Sequence, residues 1–434
     1  MSSSDTGSSD ESSGLPTTMG PTASSTSTST STSSTTASSS SATGDPDPTT
    51  GTADSSSSGS ESVCGDGVVD GEEACDDGGA SELCDADCAW ISGGLRWSIE
   101  LPGMFARDCA VTEDAVHIGG SQDPALNPDG ATVAVVRRLD SEGGELSEHL
   151  LHEGASDGEV NRLVAAEDGR VFSVGEFGSF TPFSIRGRIW ASSAQDLDPL
   201  WAQEVEPTDP GTFSLAEAVS VGDSAVAVAT RGLTVAAVHL LSLDGTPVWT
   251  EELAEWSSAS GVVVLADGGL VVVGSDNLEA RAMRISPDGV PQWTLDPGGL
   301  SARPTAVVLD VDRLLVAGGE GAGWVSELSL GGDVSWEKPA GPPNIESMVL
   351  GESGVLVVLA ADEVGGLQVR ATDAEPLSEE EQRRGEETPL WTHGVEPAGE
   401  GPVTGGLALG AEQQVYVCGT VGGDPASRVV SLSL

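Results

Sequence analysis

The sequence has one lysine (Lys338) and one tyrosine (Tyr416) in 434 residues, and only 4% of it is aromatic. Basic residues total 18 against 69 acidic ones, a formal net charge of −51. A field of that sign repels nucleic acid and anionic membrane surfaces, whose recognition needs clustered Lys and Arg. No stretch approaches the roughly 20 apolar residues of a membrane-spanning helix. Apolar residues almost nowhere recur at a helical period, which argues against a bundle. The five histidines, at 117, 149, 152, 239 and 393, form no His-x-x-x-His pair and no metal triad. A Gly-x-Ser-x-Gly elbow, a phosphate-binding loop with lysine and a Cys-His nucleophile pair are all missing. No catalytic constellation stands out, although a carboxylate pair for glycoside hydrolysis is not singled out or eliminated among so many acids.

What is present divides the chain into three regions. Residues 1–62 are nearly all Ser, Thr, Gly, Pro and Ala, with seven acidic residues and no basic one. Such a segment buries too little apolar area to offset its ordering entropy and is expected to be a disordered tether. Residues 63–90 hold Cys64, Cys75, Cys84 and Cys88 among nine carboxylates. A unit this small needs covalent or metal staples. The gaps lack the Cys-x2-Cys knuckles of structural zinc, so disulfides, and with them an oxidising compartment, are favoured. Asp66, Asp70, Glu72, Asp76 and Asp77 supply hard oxygen ligands for a calcium site, with a solvated acidic surface as the equal alternative.

The run Cys64-Gly-Asp-Gly-Val-Val-Asp-Gly-Glu-Glu-Ala-Cys75-Asp-Asp-Gly, closing with Cys84 and Cys88, resembles the cysteine-rich repeat of myxobacterial surface proteins. That resemblance covers about 25 residues and implies an extracellular or cell-envelope setting without enzyme activity. Met1 is followed directly by Ser2-Ser3-Ser4-Asp5, so an export signal, and a lipidated cysteine that tethers the chain to an outer membrane, are expected upstream of the given start.

Residues 91–434 contain a repeat. Trp201, Trp249, Trp293, Trp336 and Trp391 are spaced by 48, 44, 43 and 55 residues. Each of the first four follows a turn such as Asp244-Gly245 or Asp288-Gly289. Continuous apolar runs ending in small residues, such as Leu270-Val-Val-Val-Gly274 and Leu314-Leu-Val-Ala-Gly318, precede them. Four short strands in a period of 40 to 50 residues are the mark of a propeller blade. The expected fold is all-β, a seven-bladed β-propeller. Its last segment, 398–434, offers three strands and no Trp; residues 94–101, with Trp97, are expected to close that blade as its fourth. A tryptophan slot near Leu146 is left to another residue. Cys109 and Cys418 then fall on adjacent blades, either bridged or packed as two thiols. A bridge over so long a loop contributes roughly 5 kcal/mol. The repeat also resembles pyrroloquinoline-quinone-type propeller repeats, whose outer strand carries an Asp-x-x-Gly-x-x-x-Trp pattern, but no Arg- and Glu-rich cofactor pocket is legible in it.

These readings favour a surface or secreted binding or scaffold protein that presents propeller loops to a protein or polysaccharide. The alternative is a propeller enzyme, a quinone-dependent dehydrogenase or a polysaccharide lyase or hydrolase. No cofactor is indicated beyond the calcium candidate. The candidate ligand-contacting aromatics are Phe177, Phe180 and Phe183 in one Gly- and Pro-bounded loop, with Trp256 and Trp324 in comparable positions, unless these rings are buried. The insertion 375–389 reads as a solvated excursion.

Overall fold

The structure, a computed structural model, describes residues 92–434 apart from 153–155, 180–183, 206–213, 233–234, 277–278, 296–299, 301–302, 320–321, 342, 352, 362–365, 379–380, 382–388, 396–403 and 421–425. The expected tether, the cysteine-rich module and its calcium candidates, and Phe180 and Phe183 therefore lie outside the described residues. The described strands form seven four-stranded antiparallel sheets. Their inner strands are Met104–Thr112, Asp157–Ala165, Ser214–Val221, Ser258–Val264, Pro304–Asp310, Ile345–Leu350 and Thr404–Leu409, in blades one to seven. Each inner strand neighbours the next, and the seventh neighbours the first, so the blades form a closed ring.

Closure follows the expected route. The seventh sheet is completed by Leu95–Pro102, which pairs antiparallel with Ala426–Ser433 in the register Trp97↔Ser431 and Ile99↔Val429. Cys109 on the inner strand of blade one is bridged to Cys418 on the second strand of blade seven, with Cα atoms 5.9 Å apart. The bridge lies in an apolar cluster with Met104, Ile118, Val135 and Tyr416, so covalent and hydrophobic closure coincide.

The second strand of each blade is buried on both faces by its neighbours, which is why Val271, Val272 and Val273 form an unbroken apolar run with no polar alternation. Outer strands alternate instead, with one face on the neighbouring blade and one in solvent. The repeated tryptophan sits on that covered face. Trp201 Nε1 donates to Leu243 O at 3.1 Å, Trp249 to Pro287 O at 2.8 Å, Trp293 to Leu330 O at 2.9 Å and Trp97 to Ser141 O at 2.7 Å. In every case the acceptor is in the hairpin turn of the following blade. That turn needs a glycine: Gly245 has φ +85°, and a Cβ there would lie 2.7 Å from the Trp201 ring.

The empty tryptophan slot is at Ser147, which stands opposite Arg138, one residue beyond the expected neighbourhood of Leu146. The turn of the next blade changes in step. It carries Leu197 at φ +63° where the turns of blades one, three, four and five have glycine, and that leucine is fully buried. A large side chain from the turn thus fills the seam between blades one and two. The insertion between the third and fourth strands of blade six begins against blade five. Lys338, 3% exposed, donates to Asp373 O and to Glu375 O, the latter at 2.8 Å, and Arg313 pairs with the Glu375 carboxylate at 3.3 Å.

Two stability measurements check these seams. Gly245→Ala is expected to lose about 2–3 kcal/mol in chemical denaturation, from backbone strain and the Trp201 clash together. Gly130→Ala, also at positive φ but with open space around it, should lose only about 1 kcal/mol. Equal losses would remove the ring contact from the account. Replacing both Cys109 and Cys418 by Ala should lower stability by about 3–5 kcal/mol while the far-UV spectrum of the sheets persists; an unchanged midpoint would count against closure by the bridge.

Candidate channel-mouth site

The inner strands do more than line a channel. In six blades their pairing with the second strand breaks at one position, between Ala106 and Asp108, Val160 and Arg162, Ala216 and Ala218, Ala259 and Gly261, Pro304 and Ala306, and Ile345 and Ser347. The extra residue is Arg107, Asn161, Glu217, Ser260, Thr305 or Glu346 respectively. A bulge bends its strand and re-aims a side chain. All six bulged residues line one cavity of about 360 Å³, joined by Arg162, Glu176, Arg231, Arg303 and Thr404. Blade seven has no such break, and contributes Thr404 from the start of its inner strand.

The second strands accommodate the bulge with small residues. A Cβ on Gly175 would lie 1.8 Å from Glu159 O, and one on Gly274 would lie 2.1 Å from Ser258 O. In both blades the carbonyl two residues before the bulge is pressed into the space a side chain would need. The apolar runs end in glycine for this reason.

Several bulged side chains tie their blade to the next. Asn161 Nδ2 donates to Ala216 O at 3.0 Å, Ser260 Oγ to Pro304 O at 2.6 Å and Thr305 Oγ1 to Ile345 O at 2.6 Å. Arg107 pairs with Glu159 of blade two, and Arg231 with Glu217 of its own blade at 3.1 Å. Arg162 crosses the channel from blade two to donate to Glu346 O in blade six at 3.1 Å. Arg162 also borders a second cavity of about 270 Å³, whose lining mixes Val219, Val262 and Met348 with Asp108 and Glu346.

Burial shapes the charges. It raises the Glu217 and Glu346 carboxyls above the usual carboxylate range, against the lowering effect of nearby arginines. Glu176 is raised by burial and by neighbouring Glu159. Asp108, one residue past the first bulge, accepts from the Leu163 amide of blade two at 2.9 Å, and burial pushes it up to about 6.

The residues singled out from the sequence fare differently. Phe177 is half-buried at the end of a strand, edge-on to His152 with centroids 5.0 Å apart and beneath the Arg188 guanidinium at 5.1 Å. Trp256 is 3% exposed and Trp324 4% exposed, so both rings pack between strands and offer no ligand face. His117 and His239 are buried within sheets, where burial lowers each to about 4. No cluster of His, Cys, Asp and Glu suited to a metal occurs among the described residues. No described helix is long and apolar enough to cross a membrane.

The channel mouth itself was missed. Its bulged residues are 41 to 56 positions apart from one blade to the next, and no local pattern marks them as a set. The available signal was the glycine ending the second strands, together with a polar residue interrupting each inner strand.

No protein-family model matches this sequence, and no curated protein matches it. Among solved structures, a chain of the mitotic checkpoint complex crystal structure is similar over 82% of this chain and 98% of its own, with TM-score 0.55 and 13% identity. A protein of unknown function from Bacteroides caccae is similar over 53% of this chain and 78% of its own, with TM-score 0.39 and 11% identity. The first likeness supports the propeller fold and, at that identity, the fold alone.

The raised Asp108 carboxyl has a measurable consequence. Its ordinary value is 3.8 and its folded value about 6, so the folded chain holds this proton more tightly. Its contribution to stability is present below about pH 4 and is lost as the pH rises through 6. His117 and His239 act in the opposite sense, losing stability as the pH falls from 6.5 towards 4. Asp108→Asn should therefore gain on the parent chain by up to about 3 kcal/mol between pH 4 and pH 7. Parallel stability curves would show that Asp108 is not the titrating group.

Proposed function

We propose that this chain is a recognition module of the cell envelope or the extracellular space, acting through the channel-mouth face of its propeller and catalysing no reaction of its own. One observation carries this reading: six successive bulges spend backbone pairing to aim a charged or polar side chain from each blade into a single cavity. Rings of this kind suit binding, because each blade adds one contact and no two need the fixed geometry of a nucleophile and its base. A protein ligand is favoured over a polysaccharide. The described face offers paired charges, and its aromatics are packed inward.

The acidic cysteine-rich segment and the Ser/Thr-rich stretch before it fit a tether that holds the propeller off a surface, with disulfides or calcium stapling the small module. The likeness of Cys64–Cys88 to surface-protein repeats supports the same setting. The quinone-dependent alternative gains the Arg and Glu set of the channel mouth, and carboxyls raised by burial in one cavity are also a feature of enzyme sites.

Direct capture discriminates. Full-length chain and two charge-reversed variants would be immobilised and challenged with envelope and secreted proteins from the source cells, and retained proteins purified for affinity measurement. Glu176→Lys changes the channel mouth; Glu167→Lys makes the same change beside the hairpin turns of the opposite face. A partner bound by the parent and by Glu167→Lys, and at least tenfold weaker with Glu176→Lys, is the expected result. Equal binding by all three, or substrate turnover after reconstitution with quinone and calcium, would overturn the proposal.

A further inference from the structure

The charges of the channel mouth do not cancel internally. Arg107 is engaged by Glu159, and Arg231 by Glu217. Arg303, immediately before the inner strand of blade five, forms no ion pair among the described residues, and its buried Nε has no hydrogen-bond partner. Arg162 donates to the carbonyls of Asn161 and Glu346 and forms no ion pair among the described residues. On the other side, the Glu346 and Glu176 carboxyls accept no hydrogen bond among the described residues, and Glu217 Oε2 is buried without a partner. Groups of both signs thus keep hydrogen-bonding atoms without a partner among the described residues, within one cavity of about 360 Å³.

An unpaired charge withdrawn from water is costly, and the cost is relieved only by an opposite charge at hydrogen-bond range. A simple anion would satisfy Arg303 and further destabilise the glutamates beside it. A simple cation would do the reverse. The two poles line the same cavity, Arg303 beside the inner strand of blade five and Glu346 on the adjoining inner strand of blade six. We propose that this outer chamber binds a small zwitterion of the α-amino-acid or short-peptide class, its carboxylate on Arg303 and its ammonium group on Glu346 with Glu176 or Glu217.

The volume stands at the lower end of small-ligand pockets. Arg162, spanning the channel from blade two to blade six, forms the floor beneath it. The hydroxyls of Ser260 and Thr305 line the same cavity and already donate to backbone, which leaves them acceptor capacity for an ammonium group. Such a site goes beyond macromolecular recognition by the rim and does not depend on it.

The test is a titration of the full chain at fixed ionic strength with the twenty common L-amino acids and glycylglycine. Acetate and methylamine serve as single-charge probes, with binding read by calorimetry and by the rise in melting temperature. At least one zwitterion is expected to saturate at millimolar concentration or below, on the order of tenfold more tightly than either single-charge probe. Arg303→Gln and Glu346→Gln should each weaken it by roughly tenfold. Glu167→Lys, on the opposite face, should leave it unchanged, and the same melting curves report whether each variant is folded. No saturation by any zwitterion, acetate binding as tightly as the best of them, or folded variants that bind like the parent would each overturn the proposal. None of these outcomes bears on capture of a protein partner by the rim.

Discussion

The pairing of Leu95–Pro102 with Ala426–Ser433 is the constraint on which the rest of the structure depends. A blade covers its neighbour's inner and second strands, so an open array would expose two large apolar faces and an unpaired edge. Closing the last sheet with the first described strand removes the edge and joins segments more than 300 residues apart. The Cys109–Cys418 bridge reinforces the same seam from the channel side. With the circle closed, each inner strand has a fixed radius and a fixed neighbour, and the bulged residues have a common place to point.

Strength and function are built from different parts of each blade. Second and third strands supply the continuous apolar layers, and the outer-strand tryptophans Trp97, Trp201, Trp249 and Trp293 lock their blades to the following turn. Inner strands give up regular pairing at the bulge. The polar groups released there are recovered across the seams, by Asn161 on Ala216, Ser260 on Pro304 and Thr305 on Ile345. Where a blade lacks one element, its neighbour compensates. Leu197 in the turn of blade two does so opposite the blade whose outer strand has Ser147 in place of tryptophan.

Charge is distributed with similar economy. The chain has seventeen arginines and one lysine against 69 acids, yet four arginines meet at the channel mouth. The single lysine is buried in a seam and unavailable to ligands. The outside is left strongly acidic, which favours solubility and repels anionic polymers. At the mouth, four arginines and four glutamates line a single cavity.

The amino-acid sequence alone determined the class of fold, the number of blades and the route of closure. Those depend on local periodicity, on Asp-Gly turns and on counting tryptophan slots, all carried by neighbouring residues. It also placed Cys109 and Cys418 on adjacent blades, leaving their pairing open. Only the tertiary structure decided what faces the ligand. Trp256 and Trp324 read as loop aromatics, but the curvature of the ring turns them into the seams. Arg107, Glu217, Arg303 and Glu346 carry no local signal in the sequence, and only the ring brings them to one cavity. The physical reason is that strand pattern is set over a few residues, whereas the identity of a channel is set by register between blades some 45 residues apart, which no local window contains.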